Sequence, residues 1–353
     1  MGLEKFRRKG AAMGSFDAKG GLYSRGVPVF GSPGMMTSGS VFHVSSTGTG
    51  ASDSNSGLTP DQALATIDAA INKCTANKGD LIVVHENHAE TILTDAAIDC
   101  DVAGISIVGL GQGASRPTIT MGATATGAST AATVEINAAN VRLENLLFLA
   151  GIDALVKAIH VIGDDFSLVG CEFREASGKQ MLIAVNVGAA NNDADRTKIY
   201  GNKFVSIATG ATSAISLTQL QDAVEIVGNY IDGDYDDAGI QNPTGEICTH
   251  LLIAHNIIRN RQTGDHAIQL VSACTGECVD NHLFGDTAGS ILDPGSLFCS
   301  RNTGVDAIDS GSFEIPLSPA DTAANMIGVD DADNAVATTN VAANEDGSVL
   351  ERL

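Results

Sequence analysis

Tryptophan is absent from this chain of 353 residues, and aromatic residues make up only 4% of it. Sites that hold sugars usually expose aromatic rings, so this scarcity argues against a carbohydrate cleft without excluding one. Hydrophobic residues still reach 44%, which is ample for a core built mainly of Ile, Val, Leu and Ala. No apolar run of about 18 residues occurs, so no transmembrane helix is predicted. The basic start is not followed by an apolar segment, so no signal peptide is predicted either.

Basic residues are few, because 20 Lys and Arg stand against 42 Asp and Glu and give a net charge of −22. Nucleic acid and anionic membranes repel such a chain, and neither is predicted as a partner. The first forty residues are basic, whereas the segment 305–353 is acidic. The basic segment contains a candidate docking arm, formed by Lys5, Arg7, Arg8 and Lys9. Seven cysteines without a framework spacing predict no obligatory disulfide.

One frame of eight residues recurs along the middle of the chain, and the segment 224–231 contains a complete copy. It reads apolar, any, apolar, any, any, Asn, any, apolar. The second apolar residue of each copy serves as an anchor, and successive anchors lie 21 to 36 residues apart. The anchors are Val84, Ile107, Leu143, Leu168, Ile199, Ile226, Ile253, Cys278 and Cys299. A second apolar run follows most anchors by 13 to 16 residues, at Ile159, Ile183, Ile215, Ile240, Ile268 and Ile291.

This periodicity predicts the fold class. A self-similar period of about 20–50 residues signals a stacked array, and short alternating apolar runs indicate strands. The predicted fold is all-β, a right-handed parallel β-helix solenoid of about nine coils with an N-terminal capping helix and extended termini. Four segments follow from it: a basic arm at 1–40, a strand and capping helix at 41–78, the β-helix at 79–304 and an acidic tail at 305–353.

The sixth position of the frame, which we call the Asn slot, predicts a structural feature. Asn tolerates the left-handed backbone conformation that a sharp bend between strands requires. Asn side chains stacked coil upon coil can also bond to one another as a ladder. We therefore predict a structural turn ladder that runs from coil to coil. Its predicted members are Asn87, Cys171, Asn202, Asn229, Asn256, Asn281 and Asn302.

The capping helix is predicted from its start signals and its apolar spacing. Thr59 suits the N-cap and Pro60 the first helical position. Leu64, Ile67 and Ile71 then fall at helical spacing, and the helix is expected to end near residue 77. Such a helix would cover the open end of the coils, whose unpaired strand edges otherwise invite aggregation.

Carboxylates cluster at predicted turns and are the candidates for chemistry. Paired carboxylates at a suitable separation hydrolyse glycosides, and the catalytic candidates in an enzyme would be Asp193, Asp195, Asp232, Asp234 and Asp236. The run 232–237 could also supply oxygen ligands to Ca²⁺. No acidic residue recurs on one strand face of consecutive coils, as a cleft would need. Hydrated turn residues are therefore the favoured interpretation, with no catalytic residue predicted.

Metal and cofactor sites are not predicted either. His85 and His88 lie three residues apart on a strand-to-turn segment and do not match the helical zinc motif. Cys274 and Cys278 have no second cysteine pair with zinc-site spacing nearby. No nucleophile triad and no phosphate-binding loop is recognisable.

A resemblance to a known class of proteins is carried by residues 41 to 111. It rests on Val-Phe-His-Val at 41–44, a Ser- and Gly-rich loop and the capped helix. It also rests on Leu-Ile-Val-Val-His-Glu-Asn-His from residue 81 and on Ile-Ser-Ile-Val-Gly-Leu-Gly from residue 105. This segment resembles the start of the β-helix proteins of tailed-bacteriophage virions, and the coils extend the resemblance to about residue 304. Proteins of this class serve as tail spikes, fibres or head-surface decorations, often as trimers.

The resemblance implies a virion protein made in the host cytoplasm. The first expectation is a non-enzymatic structural protein, a trimeric capsid-surface decoration or minor capsid protein that docks on partners such as the major capsid protein. The alternative is a tail spike or fibre that binds or depolymerises a host surface polysaccharide. A third possibility is a glycan-binding adhesin without catalysis.

Overall fold

The computed structural model describes residues 37–123, 133–190, 193–243, 246–285 and 291–306. It also describes the backbone of five short strands: Tyr23–Ser24, Val27–Pro28, Ser312–Glu314, Ile327–Val329 and Ala335–Val336. The predicted docking arm of Lys5, Arg7, Arg8 and Lys9 lies outside the described residues, as does most of the acidic tail.

The recurring frame forms a ten-stranded parallel sheet, here called sheet 1. Its strands are Val41–Val44, Leu81–Val84, Ser106–Gly109, Arg142–Glu144, Ser167–Val169, Lys198–Tyr200, Glu225–Val227, Leu251–Ala254, Gly276–Val279 and Phe298–Ser300. The anchors from Ile107 to Cys299 share one register position, as the frame predicts. The first copy is an exception, because Ile82 rather than Val84 pairs with Ile107.

Each coil continues into two further parallel sheets. Sheet 2 contains Ala89–Ile92, Thr118–Met121, Leu147–Ala150, Glu172–Arg174, Ile257–Asn260, His282–Gly285 and Thr303–Asp306. Sheet 3 contains Ile98–Asp99, Val134–Ile136, Leu155–Val161, Met181–Val187, His266–Leu270 and Leu292–Pro294. Two long strands, Lys203–Leu217 and Tyr230–Gln241, bend and belong to both sheets. The fold is a right-handed parallel β-helix.

Stacked side chains fill the space inside the coils. Ile159, Val185, Ile215, Ile240 and Ile268 occupy one register position of sheet 3, and each is fully buried. Burying one such side chain contributes about 1.5–3 kcal/mol. A stack of three phenylalanines, absent from the predicted core composition, lies on sheet 2 between Leu147–Ala150 and Lys203–Leu217. Its ring centroids are 5.0 Å apart for Phe148 and Phe173 and 4.7 Å apart for Phe173 and Phe204.

The capping helix exists, but it is shorter than predicted and broken. A 3₁₀-helix spans Pro60–Gln62, and an α-helix spans Ile67–Ile71 with Thr66 as its N-cap. Leu64 lies between them in extended conformation, because its N–H donates to the His43 carbonyl at 2.8 Å and its carbonyl accepts from Ser45. Hydrogen bonds to the edge of the first strand therefore outweigh local helix propensity. A second 3₁₀-helix lies at Gly113–Ser115.

The α-helix covers the N-terminal end of the coils, as predicted. Ile67 and Ile71 are buried against the core, and the helix contacts the strands Val41–Val44, Leu81–Val84 and Ile98–Asp99. The Ile67 N–H donates to Glu90 at 3.1 Å, and the Asp68 carboxylate accepts from the Asp99 N–H at 3.2 Å. No helix among the described residues is long and apolar enough to span a membrane.

The Asn slot forms a continuous row of buried, hydrogen-bonded side chains. The Asn256 Oδ1 accepts both the backbone N–H of Asn229, at 2.9 Å, and its side-chain amide, at 3.0 Å. The same pair of bonds joins Asn202 to Asn229, Asn256 to Asn281 and Asn281 to Asn302. Each amide also donates to a backbone carbonyl, as Asn256 does to Ile226 at 2.8 Å. Cys171 joins through its N–H, which donates to the Asn202 Oδ1 at 2.8 Å.

Two details of the predicted ladder are wrong. The left-handed residue is the one before the slot, namely Gly201, Gly228, His255, Asp280 or Arg301. That residue makes the turn, while the Asn side chain points inward and joins the row. Asn87 is no member of the row, because the register of strand Leu81–Val84 puts it two residues past the slot. Asn87 is exposed instead, with a φ of 60°.

Candidate ligand-binding groove

The outer face of sheet 3 presents one polar side chain per coil at a single register position. The row consists of Asp99, Glu135, His160, Asn186, Ser216, Gln241, Gln269 and Asp293. Strand alternation produces it, because the residues before each member, such as Ile215 and Ile240, point into the core. Adjacent members are about 4.8 Å apart, so polar groups repeat at a fixed spacing along the coil axis.

The second half of this row borders a groove of about 910 Å³. Ser216, Gln241, Gln269 and Asp293 contribute from the row. The other polar residues of the lining are Thr212, Thr218, Asp237, Asn242 and Ser272. Its apolar residues are Ile183, Pro243, Ile247, Leu270, Val271 and Ala273. The lining residues that the structure describes include two carboxylates and no Lys, Arg or His.

Ser216 is the unusual member of the lining. Its side chain is 0% exposed, and its Oγ has no hydrogen-bond partner among the described residues. A buried hydroxyl without a partner costs about 1–3 kcal/mol. Because Ser216 borders the groove, its hydroxyl is the candidate contact for a bound molecule.

The amides beside Ser216 are held in place by the coils. The Asn242 amide donates to the Leu217 carbonyl at 3.2 Å, and its Oδ1 accepts from the Val271 N–H at 3.2 Å. The Gln241 amide donates to the Ser213 hydroxyl at 3.3 Å. Binding groups fixed in this way lose little conformational entropy when a ligand arrives. Gln241 and Asn242 therefore form a fixed polar part of the groove, with apolar residues beside them.

The first half of the row has its own partners and does not line the groove. The His160 Nδ1 lies 3.0 Å from the Glu135 carboxylate, and its Nε2 lies 3.2 Å from the Gly188 carbonyl. The Lys157 Nζ is 4.0 Å from the same carboxylate. These charged groups satisfy one another, so we place the candidate site at the second half of the row.

The five predicted catalytic carboxylates do not come together in one cleft. Asp193 is exposed and Asp195 lies in the turn before sheet 1, whereas Asp232, Asp234 and Asp236 belong to the strand Tyr230–Gln241. The Asp232 carboxylate lies 3.1 Å from the Arg261 Nε. Asp237, which directly follows Asp236 in the chain and is not one of the five candidates, lines the groove.

Asp195 has a structural function in a column of side chains outside the core. Its Oδ1 accepts the Asp222 N–H at 2.8 Å, and its own N–H donates to the Asp164 Oδ1 at 3.1 Å. The Asp222 Oδ1 accepts from the Thr249 hydroxyl at 2.6 Å. Carboxylates in this column thus bond to the next coil, which accounts for their recurrence at turns.

Asp222 provides a test of this column through its pH dependence. Hydrogen bonds from Thr249 and His250 hold the pKa of Asp222 below its usual value. A carboxyl with a lowered folded-state pKa stabilises the fold above its unfolded value, and this stabilisation disappears as the pH falls through the folded value. We expect Asp222→Asn to melt below the wild type at pH 7 and the gap to close as the pH falls below the usual Asp value of about 4. Thermal melts from pH 2 to 7 measure it, and a gap of constant size would contradict this electrostatic role.

The residues considered for metal binding are engaged otherwise. The Ser46 N–H donates to the His88 Nδ1 at 3.0 Å, and the His85 Nε2 lies 2.9 Å from the His43 Nδ1. The Cys248 N–H donates to the Cys274 thiol at 3.3 Å, and all seven cysteines are free. Within the described ranges, no three His, Cys, Asp or Glu residues are arranged to hold a metal. The expected absence of metals and cofactors stays a prediction.

The sequence analysis does not predict the groove, because it pairs two residues of the second apolar run with the wrong residues of the neighbouring coils. Val185, not Ile183, pairs with Ile159, and Leu292, not Ile291, pairs with Ile268. With the true register, the residue after each inward apolar side chain is polar in every coil. An apolar residue followed by a polar residue in each coil is thus the sequence pattern that predicts the polar row.

Comparisons with known proteins add solved structures of low identity. No family model matches the sequence, and no curated protein matches it. The GH136 lacto-N-biosidase from Eubacterium ramulus aligns at 12% identity over 75% of this chain and 63% of its own, with a TM-score of 0.43. The pectate lyase Pel9A aligns at 12% identity over 90% and 89%, also with a TM-score of 0.43. The tailspike protein of Acinetobacter phage vB_ApiP_P1 aligns at 13% identity over 67% and 50%, with a TM-score of 0.37.

This chain spans 63% of the length of the lacto-N-biosidase. Likenesses at 12 to 13% identity carry neither a reaction nor a substrate over to this chain.

Proposed function

We propose that this chain is a virion-associated protein of the tail spike or fibre type that binds a polysaccharide of the host surface. The observation that carries the proposal is the groove on sheet 3, with the unpartnered Ser216 hydroxyl at its border. The resemblance of residues 41–304 to phage virion β-helices supports the virion part of the proposal.

A polymer fits the groove better than a small compact ligand does. Ser216, Gln241, Gln269 and Asp293 repeat at the spacing of the coils, about 4.8 Å, so polar groups follow one another along one line. Sugar hydroxyls can donate to the carboxylates and can both donate to and accept from the amides. The apolar side chains of Ile247 and Val271, which also line the groove, suit the C–H faces of sugar rings.

From the sequence, a capsid-surface decoration ranks above a tail spike, and the groove reverses that order. No contact among the described residues favours a capsid position. The trimer, the docking arm and the contact with the major capsid protein stay predictions, since the arm lies outside the described residues. Polysaccharide cleavage is not part of the proposal, because the candidate carboxylates are divided between two elements.

Replacing Gln269 with alanine tests the proposal. We expect the affinity for polysaccharide to fall roughly two- to tenfold, the equivalent of one lost hydrogen bond. Gln269 lies on the outer face of the sheet, so the melting temperature should stay unchanged. Affinity electrophoresis of the full chain through gels containing a panel of polysaccharides gives the dissociation constants.

Gln112→Ala is the matched control, because Gln112 is exposed on the loop after the strand Ser106–Gly109, away from the groove. The proposal requires that only the Gln269 variant migrates faster than the wild type in a retarding gel. Equal retardation of both variants would place the polysaccharide elsewhere, and no retardation of the wild type by any polymer would refute the proposed function.

A further inference from the structure

We infer that the groove selects an uncharged polysaccharide and excludes polyanions such as uronate polymers. This inference rests on the proposed function and concerns the same site. Its first support is charge: the described lining contains Asp237 and Asp293 and has no basic side chain. A uronate chain in the groove would lose water without gaining a cationic partner, in a protein with a net charge of −22.

The second support is the chemistry of the remaining polar groups. Gln241 and Gln269 each carry a donor and an acceptor, and the Ser216 hydroxyl does both as well. Sugar hydroxyls and N-acetyl groups have the same dual character. Carboxylates on a ligand only accept, so they would find acceptors opposite them at Asp237 and Asp293. The groove is thus complementary to a neutral glycan along its length.

Ser216 is the residue that we expect to contact such a glycan most specifically. Its Oγ is buried and without a partner in the described part of the chain. Removing it in Ser216→Ala should weaken glycan binding roughly three- to tenfold, the worth of a buried hydrogen bond. The same change removes an unsatisfied polar group, so the melting temperature should stay the same or rise. A purely structural serine would show the opposite pattern, with lower stability and unchanged affinity.

Binding by the full-length chain should be measured against polymers that differ in charge. Dextran and N-acetylglucosamine oligosaccharides are the neutral probes, polygalacturonate and alginate are the anionic probes, and chitosan is the cationic probe. The wild type should bind a neutral probe more tightly than either anionic probe. Chitosan retention that disappears at high salt would be a non-specific attraction to the acidic surface.

A double variant tests the excluding carboxylates directly. Asp237→Asn with Asp293→Asn should raise the affinity for the anionic probes roughly three- to tenfold at low salt, because two repulsive charges are removed. Asp61→Asn with Asp193→Asn is the matched control, since it removes the same charge from exposed positions outside the groove. Ser167→Ala, on the outer face of sheet 1, serves as the control for Ser216→Ala.

The outcomes separate this inference from the proposed function. Neutral binding that Ser216→Ala weakens, with anionic binding gained only by the groove double variant, supports both. Wild-type binding of polygalacturonate or alginate at least as tight as that of the neutral probes overturns the inference and leaves glycan binding standing. Absence of binding to every probe overturns both.

Discussion

Replacing Asn256 with alanine is expected to lower the free energy of unfolding by about 2–5 kcal/mol. The side chain makes four hydrogen bonds at once: two accepted from Asn229, one donated to Asn281 and one donated to the Ile226 carbonyl. Alanine leaves the Asn229 N–H buried without a partner, at about 1–3 kcal/mol, and also removes the bonds to Asn281 and to the Ile226 carbonyl. Urea titration followed by circular dichroism measures the loss.

Asn137→Ala is the matched control for this prediction. Asn137 is exposed, and its side chain donates a single hydrogen bond to Asp99 at 2.7 Å. Its removal should change the stability by about 0.5 kcal/mol or less. If Asn256→Ala were as mild as this control, the row of Asn side chains would be a consequence of the coils and not one of the interactions that hold them in register.

Truncating Phe173 to alanine is expected to cost about 3–5 kcal/mol. Phe173 is the middle ring of the stack on sheet 2 and is in contact with Phe148 on one side and Phe204 on the other. Alanine leaves a cavity between two rings that the strands on either side hold apart, so the neighbours cannot close it. Chemical unfolding and a thermal melt of the variant give the measurement.

Phe298→Ala removes the same side chain from the outside of sheet 1, where Phe298 is 52% exposed. We expect a change within about 0.5 kcal/mol for it. Comparable losses in the two variants would mean that the rings of the stack are not packed as the structure has them.

The coils themselves could be predicted because their determinants are local. An apolar residue at the anchor and an Asn three residues later recur in sequence. In the stacked coils the first is buried in the core and the second joins the hydrogen-bonded row. The backbone conformation could not be predicted in the same way. Gly228 and Asn229 are adjacent, and either residue type tolerates the left-handed region. Only the bonding of Asn229 to Asn256 in the next coil decides which of the two turns.

The capping helix illustrates a contact that the sequence pattern cannot reveal. Leu64 fits the helical spacing, yet it is extended, because the first strand offers hydrogen-bonding groups at its edge. The role of Asp195 is similar, since a carboxylate in a turn reads as a candidate for catalysis until its partner is known. That partner is a backbone N–H at Asp222, 27 residues away.

Predicting the groove requires the exact register between the strands of neighbouring coils, and a small error in register changes which side chains are predicted to face outward. A shift of one residue exchanges the inner and outer faces of a strand. Ile291 is buried in the core, yet Leu292 is the residue that pairs with Ile268, and this register puts Asp293 beside Gln269 in the polar row. An alignment that pairs Ile291 with Ile268 therefore removes Asp293 from the polar row.

The most direct test of the central claim is a crystal structure of the full chain soaked with the neutral oligosaccharide that binds most tightly. The account predicts sugar rings along sheet 3 over Gln241 and Gln269, with a sugar oxygen about 3 Å from the Ser216 Oγ. Sugar bound on sheet 1 or sheet 2, with the groove free of it, would contradict the account.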